Sequence, residues 1–240
     1  MQSNPVKKNF FKSISRYIFL IILLLAFLSF FYFHLYDYLT ITTLKHYQSA
    51  ALQWTNYHYT LAVSLYILIF VLLIAAAIPC ATFMTLVGSL LFSTIAILYA
   101  EFSITFGGMI LFLAVRTAIG TRLATRNTGW IKKFEAGFQQ DAFSYLLTLR
   151  LVPIFPCWIS NIGAAILNVP LKTFILATAF GVLPSTMIYV LAGRSFDKIL
   201  MDEKTPLLSI IFTPSVLLPL LGLAILSMMP VIYKVIKKPD

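Results

Sequence analysis

The sequence predicts an all-α, polytopic integral membrane protein, and three observations carry that prediction. The 240 residues are 60% hydrophobic and only 11% charged, with a mean hydropathy of +0.91, whereas a soluble domain is roughly 45–50% apolar and 25% charged. The 18 basic and 8 acidic residues leave long stretches uncovered: none falls between Lys45 and Glu101, from Leu151 to Leu171, or from Thr205 to Tyr233. Gaps of that length match membrane spans. The basic residues also collect at the two ends and in one central segment, between apolar blocks. That placement excludes nucleic acid as the partner of the +10 net charge, because a duplex-binding surface needs a solvated basic stripe. An aromatic content of 15% excludes a disordered chain, and two cysteines, Cys80 and Cys157, each in an apolar run, exclude a disulfide framework.

Along the chain, Lys7, Lys8, Lys12 and Arg16 precede the apolar run Tyr17 to Phe33, which continues into His34-Leu35-Tyr36-Asp37-Tyr38 without a small-x-small cleavage site. This predicts a retained first span rather than a cleaved signal peptide. Residues 36–59 mix tyrosines and Trp54 with Asp37, Lys45, His46 and His58, the composition of a membrane-interface segment. Leu61 to Ile78 reads as a second span. The next 41 residues, 79–119, stay apolar but are broken by Pro79, Gly88, Gly107 and Gly108. At ~1.5 Å per residue they either cross a ~30 Å core twice or dip in and back and cross once. Arg116, Arg122, Arg126, Lys132 and Lys133 form a central basic loop, in which Trp130, Ile131, Phe134 and Phe138 share one face of a short interfacial helix. Ala142 to Ala192 is apolar again but carries Arg150, Pro153, Pro156, Asn161, Gly163, Pro170, Lys172, Gly181 and Pro184. A plain lipid-facing helix would not hold these residues. The last span, Leu207 to Ile232, is bent by prolines and ends on Lys234, Lys237 and Lys238. Three regions result: 1–60 with the anchor span and interfacial segment, 61–194 as the core, and 195–240 with a polar loop, the final span and a basic tail.

The two punctured blocks echo each other. Pro79-Cys80 leads to Gly88 and then Phe106-Gly107, while Pro156-Cys157 leads to Gly163 and then Phe180-Gly181. Paired segments interrupted by glycine and proline in two halves of a membrane protein point to a binding site near the bilayer midplane. Irregular backbone at that depth must be buried in protein or face water.

The run Arg150-Leu151-Val152-Pro153-Ile154-Phe155-Pro156, followed by Asn161, Gly163, Val169-Pro170, Phe174, Gly181 and Pro184, resembles the second signature of the DedA or VTT-domain superfamily, also called SNARE-associated Golgi proteins. Gly88-Ser89-Leu90-Leu91-Phe92 and Phe112-x-x-x-Arg116 resemble its first. The resemblance spans about Leu61 to Arg194 and points to the branch with yeast Golgi and bacterial inner-membrane members. It implies two re-entrant hairpins, each followed by a span and related by inverted symmetry, in a bacterial plasma (inner) membrane. It also implies movement of a phosphate-bearing lipid, phospholipid or isoprenoid phosphate, between leaflets. Two other classes stay open: a proton-coupled transporter of a small solute, and a non-transporting protein that organises the membrane.

Three residues are the candidate substrate contacts. Arg150 lies among Leu146, Leu147, Leu149 and Leu151, and an arginine at mid-depth costs at least ~2.5–3.5 kcal/mol, so such residues mark a pathway or a partner. Guanidinium also suits bidentate phosphate recognition, which fits membrane lipids with anionic headgroups as partners. Glu101 is the only acid between Asp37 and Glu135; it reads either as a protonated coupling carboxyl or as a charge partner of Arg150 or Arg116. Asn161 can bond freed backbone carbonyls or substrate. Pro79, Gly88, Pro153, Pro156, Gly163, Gly181 and Pro184 are read as structural breaks. Asp141 is expected to cap the following helix, and Arg116 to anchor a span at the basic loop. His34, His46 and His58 are too far apart to cluster, and the two thiols have no second ligand type beside them, so no metal or cofactor is expected. Nor is an enzyme, since no catalytic triad order, phosphate loop or HExxH motif occurs.

The distribution of charge predicts cytoplasmic ends and a cytoplasmic central loop. If 61–78 crosses inward, that loop requires an even number of crossings in 79–119, whereas one hairpin plus one span gives an odd number.

Overall fold

The computed structural model describes residues 21–34, 41–118, 141–151 and 156–200. Within them the chain is helical, with no strand. The helices are α1 (Ile21–Tyr32), α2 (Ile41–Tyr57), α3 (Tyr59–Ala75), α4 (Ala81–Phe92), α5 (Ala96–Ala118), α6 (residues 141–151), α7 (Cys157–Ile166) and α8 (Leu171–Leu200). The central basic loop with its interfacial helix, Pro153, the last span and the basic tail lie outside the described residues, as does the start of the first span. Ala81–Ala118 and Leu171–Gly193 are long and apolar enough to cross a membrane, and α2 meets α3 at a bend of 120°.

Large hydrocarbon side chains face outward. Leu98, Phe102 and Phe106 on α5 and Leu176, Phe180 and Met187 on α8 are exposed, while Ala100, Ser103, Thr178 and Thr186 are buried. Small and hydroxyl-bearing residues inside, with large hydrocarbon outside, suit a bundle solvated by lipid. The protein is an integral membrane protein.

α3 forms because an uninterrupted Leu/Ile/Val/Phe run carries no helix breaker before Pro79. It stops in a Schellman motif: Ala77, at φ 61°, donates its N–H to the Ile74 carbonyl at 3.0 Å, and Ile78 donates to Leu73 at 3.0 Å. α7 stops the same way, with Asn168 at φ 57° and N–H bonds from Asn168 to Ala165 and from Val169 to Ala164. Pro79 and Pro170 each stand two residues past the left-handed residue, where a helix cannot resume.

The 38-residue stretch Ala81–Ala118 is not one rod. A straight helix would hold Cys80 about 40 Å from Gly107. Instead Cys80 shares a core with Ile74 and Ile78, and a Cβ on Gly107 would come within 2.9 Å of the Ile74 Cβ. The chain reverses at Ser93 (φ 55°, ψ −137°) and a short 3₁₀ turn, Ser93–Ile95, so α4 runs back along α3 and α5 returns beside both. Tyr66 ties α3 to α4 by donating its hydroxyl to the Met84 carbonyl at 2.9 Å.

α5 and α8 are antiparallel, since Glu101 faces Thr186 while Phe112 stacks on Phe174 at 4.4 Å. α7 runs parallel to α5, with Asn161 over Gly108 and Arg116 Nη1 donating to the Val169 carbonyl at 3.0 Å. α6 docks on α8 at Gly181, where a Cβ would lie 2.5 Å from the Arg150 Cβ. Asp141 Oδ1 accepts the Ser144 N–H at 3.1 Å and so caps the start of α6 as the sequence predicts.

Gly107 is the central residue of α5 (Ala96–Ala118), and Gly181 adjoins the centre of Leu171–Gly193. The end of α3 reaches only the middle of α5, and the end of α6 only the middle of the apolar part of α8. The apolar run 61–78, read in the sequence as a span, holds α3, which together with Tyr47–Tyr57 passes as one broken span or a re-entrant loop.

Candidate functional site

The two hairpin ends face each other across a cavity of about 200 Å³. Pro79 and Thr85 line it from the first hairpin, Arg150, Pro156 and Asn161 from the second, and Thr186 from α8. The wall is largely hydrocarbon, with Ile74, Ile78, Ile104 and Val182, so the few polar groups act in a low-dielectric setting.

Arg150 dominates it. The residue is 7% exposed. Its Nη2 donates to Asn161 Oδ1 and, at 3.1 Å, to Thr178 Oγ1, and its Nη1 donates to the Cys157 carbonyl at 3.4 Å. The guanidinium lies 5.6 Å from the centroid of the Phe174 ring, which also stacks on Phe112. All of these partners are neutral. Arg150 Nε is buried with no partner, so an oriented cation stands at the cavity wall with donor capacity left.

The sequence candidates separate into roles. Asn161, 2% exposed, receives Arg150 and holds its fork in place, with Gly108 leaving room for the amide. Glu101 is not in the cavity wall: its carboxylate is buried against the Thr186 hydroxyl, within electrostatic reach of Arg150. Pro79 stands between α3 and α4, and Pro156 (φ −56°, ψ 136°) is the N-cap of α7, so both mark interruptions of the helices. Gly88, Gly163, Gly181 and Pro184 do not; each lies inside a helix. Gly88 is where the Tyr66 phenol crosses α4, Gly181 is where α6 crosses α8, and a Cβ on Gly163 would meet nothing within 4 Å. Cys80 and Cys157 are free thiols, and among the described residues no group of three or more His, Cys, Asp or Glu could hold a metal.

Sequence reading missed Thr178 and Thr186, both fully buried. The available signal was their place on an otherwise hydrocarbon helix: Thr178, Ser185 and Tyr189 recur at i, i+7 and i+11, one helical face, and Ser185 and Tyr189 line the cavity with Thr186.

Residues 78–195 match the VTT domain family. The transmembrane protein 41 homolog of Caenorhabditis elegans is 28% identical over 179 residues, covering 72% of this chain and 70% of that protein. Transmembrane protein 41B of Mus musculus is 25% identical over 174 residues, covering 70% of this chain and 57% of its own. The Drosophila melanogaster homolog is 31% identical over 135 residues, 54% of this chain and 42% of that one. The chain thus spans little more than half the length of the mouse relative. No solved structure matches it.

Proposed function

The chain belongs to the DedA/VTT superfamily, and from that premise we propose that it moves a phosphate-bearing lipid, a phospholipid or an isoprenoid phosphate, between leaflets. The observation that carries this reading is Arg150: a buried guanidinium at the wall of a largely hydrocarbon cavity, hydrogen-bonded only to neutral groups. Burying a cation is costly unless an anion meets it. A phosphate accepts paired donors from a planar fork, which recovers that cost when the headgroup enters. Asn161, Thr178 and Phe174 fix the fork before the ligand arrives, so little ordering remains at binding. The outward hydrocarbon face leaves the acyl chains in lipid while the headgroup uses the polar interior.

The re-entrant reading of the two hairpins is supported by where their ends stop. α7 has 10 residues and α4 has 12, about 15 and 18 Å, short of a ~30 Å core. Both hairpin ends meet the middle of a long helix. In this reading α3–α4 enters and leaves from the outer side and α6–α7 from the cytoplasmic side, an inverted pair. The crossings are then the first span, α5, α8 and the last span, which puts both termini and the central basic loop in the cytoplasm. The conflict between charge and crossing number disappears, because it came from counting 61–78 as a crossing.

The test is leaflet exchange in liposomes containing the purified chain. Labelled phospholipid and isoprenoid phosphate should cross faster than in protein-free vesicles, and Arg150→Ala should remove the gain while leaving the amount of folded protein unchanged. Wild-type protein that moves neither lipid would overturn the proposal.

A further inference from the structure

The cavity that Arg150 borders also receives the first turns of two helices. Pro79, Ala81 and Thr82 line it at the start of α4, and Pro156, Cys157 and Trp158 at the start of α7. In α4 the first backbone bond runs from the Met84 N–H to the Cys80 carbonyl at 2.9 Å. In α7 the Ile159 and Ser160 N–H groups share the Pro156 carbonyl at 3.0 and 3.4 Å. The N–H groups of Ala81, Thr82 and Phe83, and of Cys157 and Trp158, precede these bonds and have no carbonyl in their own helix to take them. With 12 and 10 residues, both helices are long enough to carry partial positive charge at these ends.

The groups that commonly meet a helix start are not supplied by the chain here. Neither α4 nor α7 has a side-chain cap, and neither first turn holds an acid. At α6, by contrast, Asp141 Oδ1 takes the Ser144 N–H. No acid is among the residues that line the cavity. Arg150 gives an independent sign of an anion. It stands in the same wall, is 7% exposed, and keeps its Nε buried without a partner. One full positive charge and two partial ones therefore border one space, from three different helices, with no carboxylate of the chain among them.

We infer that the backbone N–H groups opening α4 and α7 form, together with Arg150, a single cradle for a tetrahedral oxyanion: the phosphate group of a lipid, or free inorganic phosphate. The choice of phosphate rests on the lipid-transfer reading; the cradle itself rests on the helix starts. Helix N-termini bind anions with donors that are already in place, and a tetrahedral anion offers oxygens to donors arriving from several directions. In this site α4 contributes through backbone alone, whereas the second unit contributes backbone and a guanidinium.

The test uses the purified full chain in detergent, melted in inorganic phosphate and in chloride at equal ionic strength and fixed pH, and again in mixed micelles with phosphatidic acid or with diacylglycerol. Phosphatidic acid at a tenfold excess over its Kd should raise Tm by about 3 °C above the diacylglycerol value, saturably. A rise with free phosphate as well supports a cradle that takes its anion from water or lipid; a rise with phosphatidic acid alone supports a headgroup held together with its chains. Two variants then read the helix starts. Cys157→Pro removes one N–H at the first position of α7, where proline fits because Pro156 already has ψ 136°. It keeps the carbonyl that Arg150 uses and should weaken binding about tenfold. Thr82→Asp, at an exposed residue, puts a carboxylate on the start of α4. It should abolish the rise while leaving the anion-free Tm no lower than that of the wild type, and it reads the cradle even where Cys157→Pro folds poorly. No rise with either source overturns the inference. So does wild-type affinity in both variants, which would leave Arg150 as the whole site. Leaflet exchange is read separately. Anion binding that responds to both variants, in a protein that moves no lipid, keeps the cradle and ends the lipid-transfer reading; exchange that is lost in Arg150→Ala but untouched in both variants does the reverse.

Discussion

The units α3–α5 and α6–α8 set their hairpin ends on the same feature, a glycine at the middle of a long helix, and then fill the space beside it differently. At Gly107 the first hairpin brings hydrocarbon and backbone, the Ile74 side chain and the Val71 carbonyl, the latter 2.7 Å from where a Cβ would stand. At Gly181 the second brings the stem of Arg150 and the Leu147 side chain. The first contact is packing alone. The second uses the same close approach to carry a charged head past α8 to Thr178 and Asn161. One architecture therefore serves as a wall on one side and presents a donor on the other, and the asymmetry lies in a single side chain.

The largest effect should come from removing that asymmetry. Arg150→Lys keeps the charge but loses the fork, and should cut exchange of phosphate-bearing lipids about ten- to a hundredfold, the equivalent of a charge-assisted hydrogen bond worth ~1.5–3 kcal/mol. Arg150→Ala should be at least as damaging; a lysine variant with wild-type exchange would show that charge alone suffices. Next come the two seats. Gly107→Ala and Gly181→Ala should each destabilise by about 1–3 kcal/mol through overpacking, seen as lower folded yield and Tm. The Gly181 variant should also lose exchange out of proportion to its yield, because the displaced neighbour is Arg150. Equal losses at both positions would erase the distinction drawn between the hairpins.

Sidedness comes third. In a background with Cys80 and Cys157 replaced by alanine, Tyr57→Cys, at an exposed residue, should label only from outside and Thr128→Cys only from the cytoplasm. Labelling of both from one side would mean an even number of crossings between them and would overturn the re-entrant reading. The smallest effect is expected at Gly163, where a Cβ meets open space. Gly163→Ala should leave exchange intact and stabilise the chain by up to ~1 kcal/mol through helix propensity.

What the sequence made legible follows from what each residue type means without its neighbours. Arg150 stood out because a guanidinium among leucines is expensive wherever it lies. Asp141 was legible because an acid ahead of a helix has one common use. Glycine was ambiguous: Gly107 and Gly181 each take a neighbouring helix at close range, yet Gly88, Gly163 and Gly181 do not interrupt helices. A glycine in an apolar run fits a break and a close crossing equally well, and only the opposing helix decides. The run 61–78 has the length and composition of a span, and nothing local records that it stops at the middle of α5. Thr178 and Thr186 were missed because a lone threonine in a membrane helix most often bonds its own preceding turn, as Thr85 does at 2.8 Å.

The left-handed residue that ends α3 has a consequence for how firmly the first hairpin end is held. Among the described residues every positive φ belongs to a residue with a side chain, Ala77 and Asn168 included, and no glycine adopts one. The chain places glycine where backbones touch and turns corners with residues that resist turning. Ala77 carries a penalty of roughly 1–2 kcal/mol against a glycine at the same corner, met by burial of its neighbours Ala76 and Ile78. A corner built this way is brittle rather than loose: it has one conformation that its surroundings enforce, and few alternatives of similar energy. The wall that faces Arg150 is accordingly a fixed surface, against which movement on the other side of the cavity can be measured.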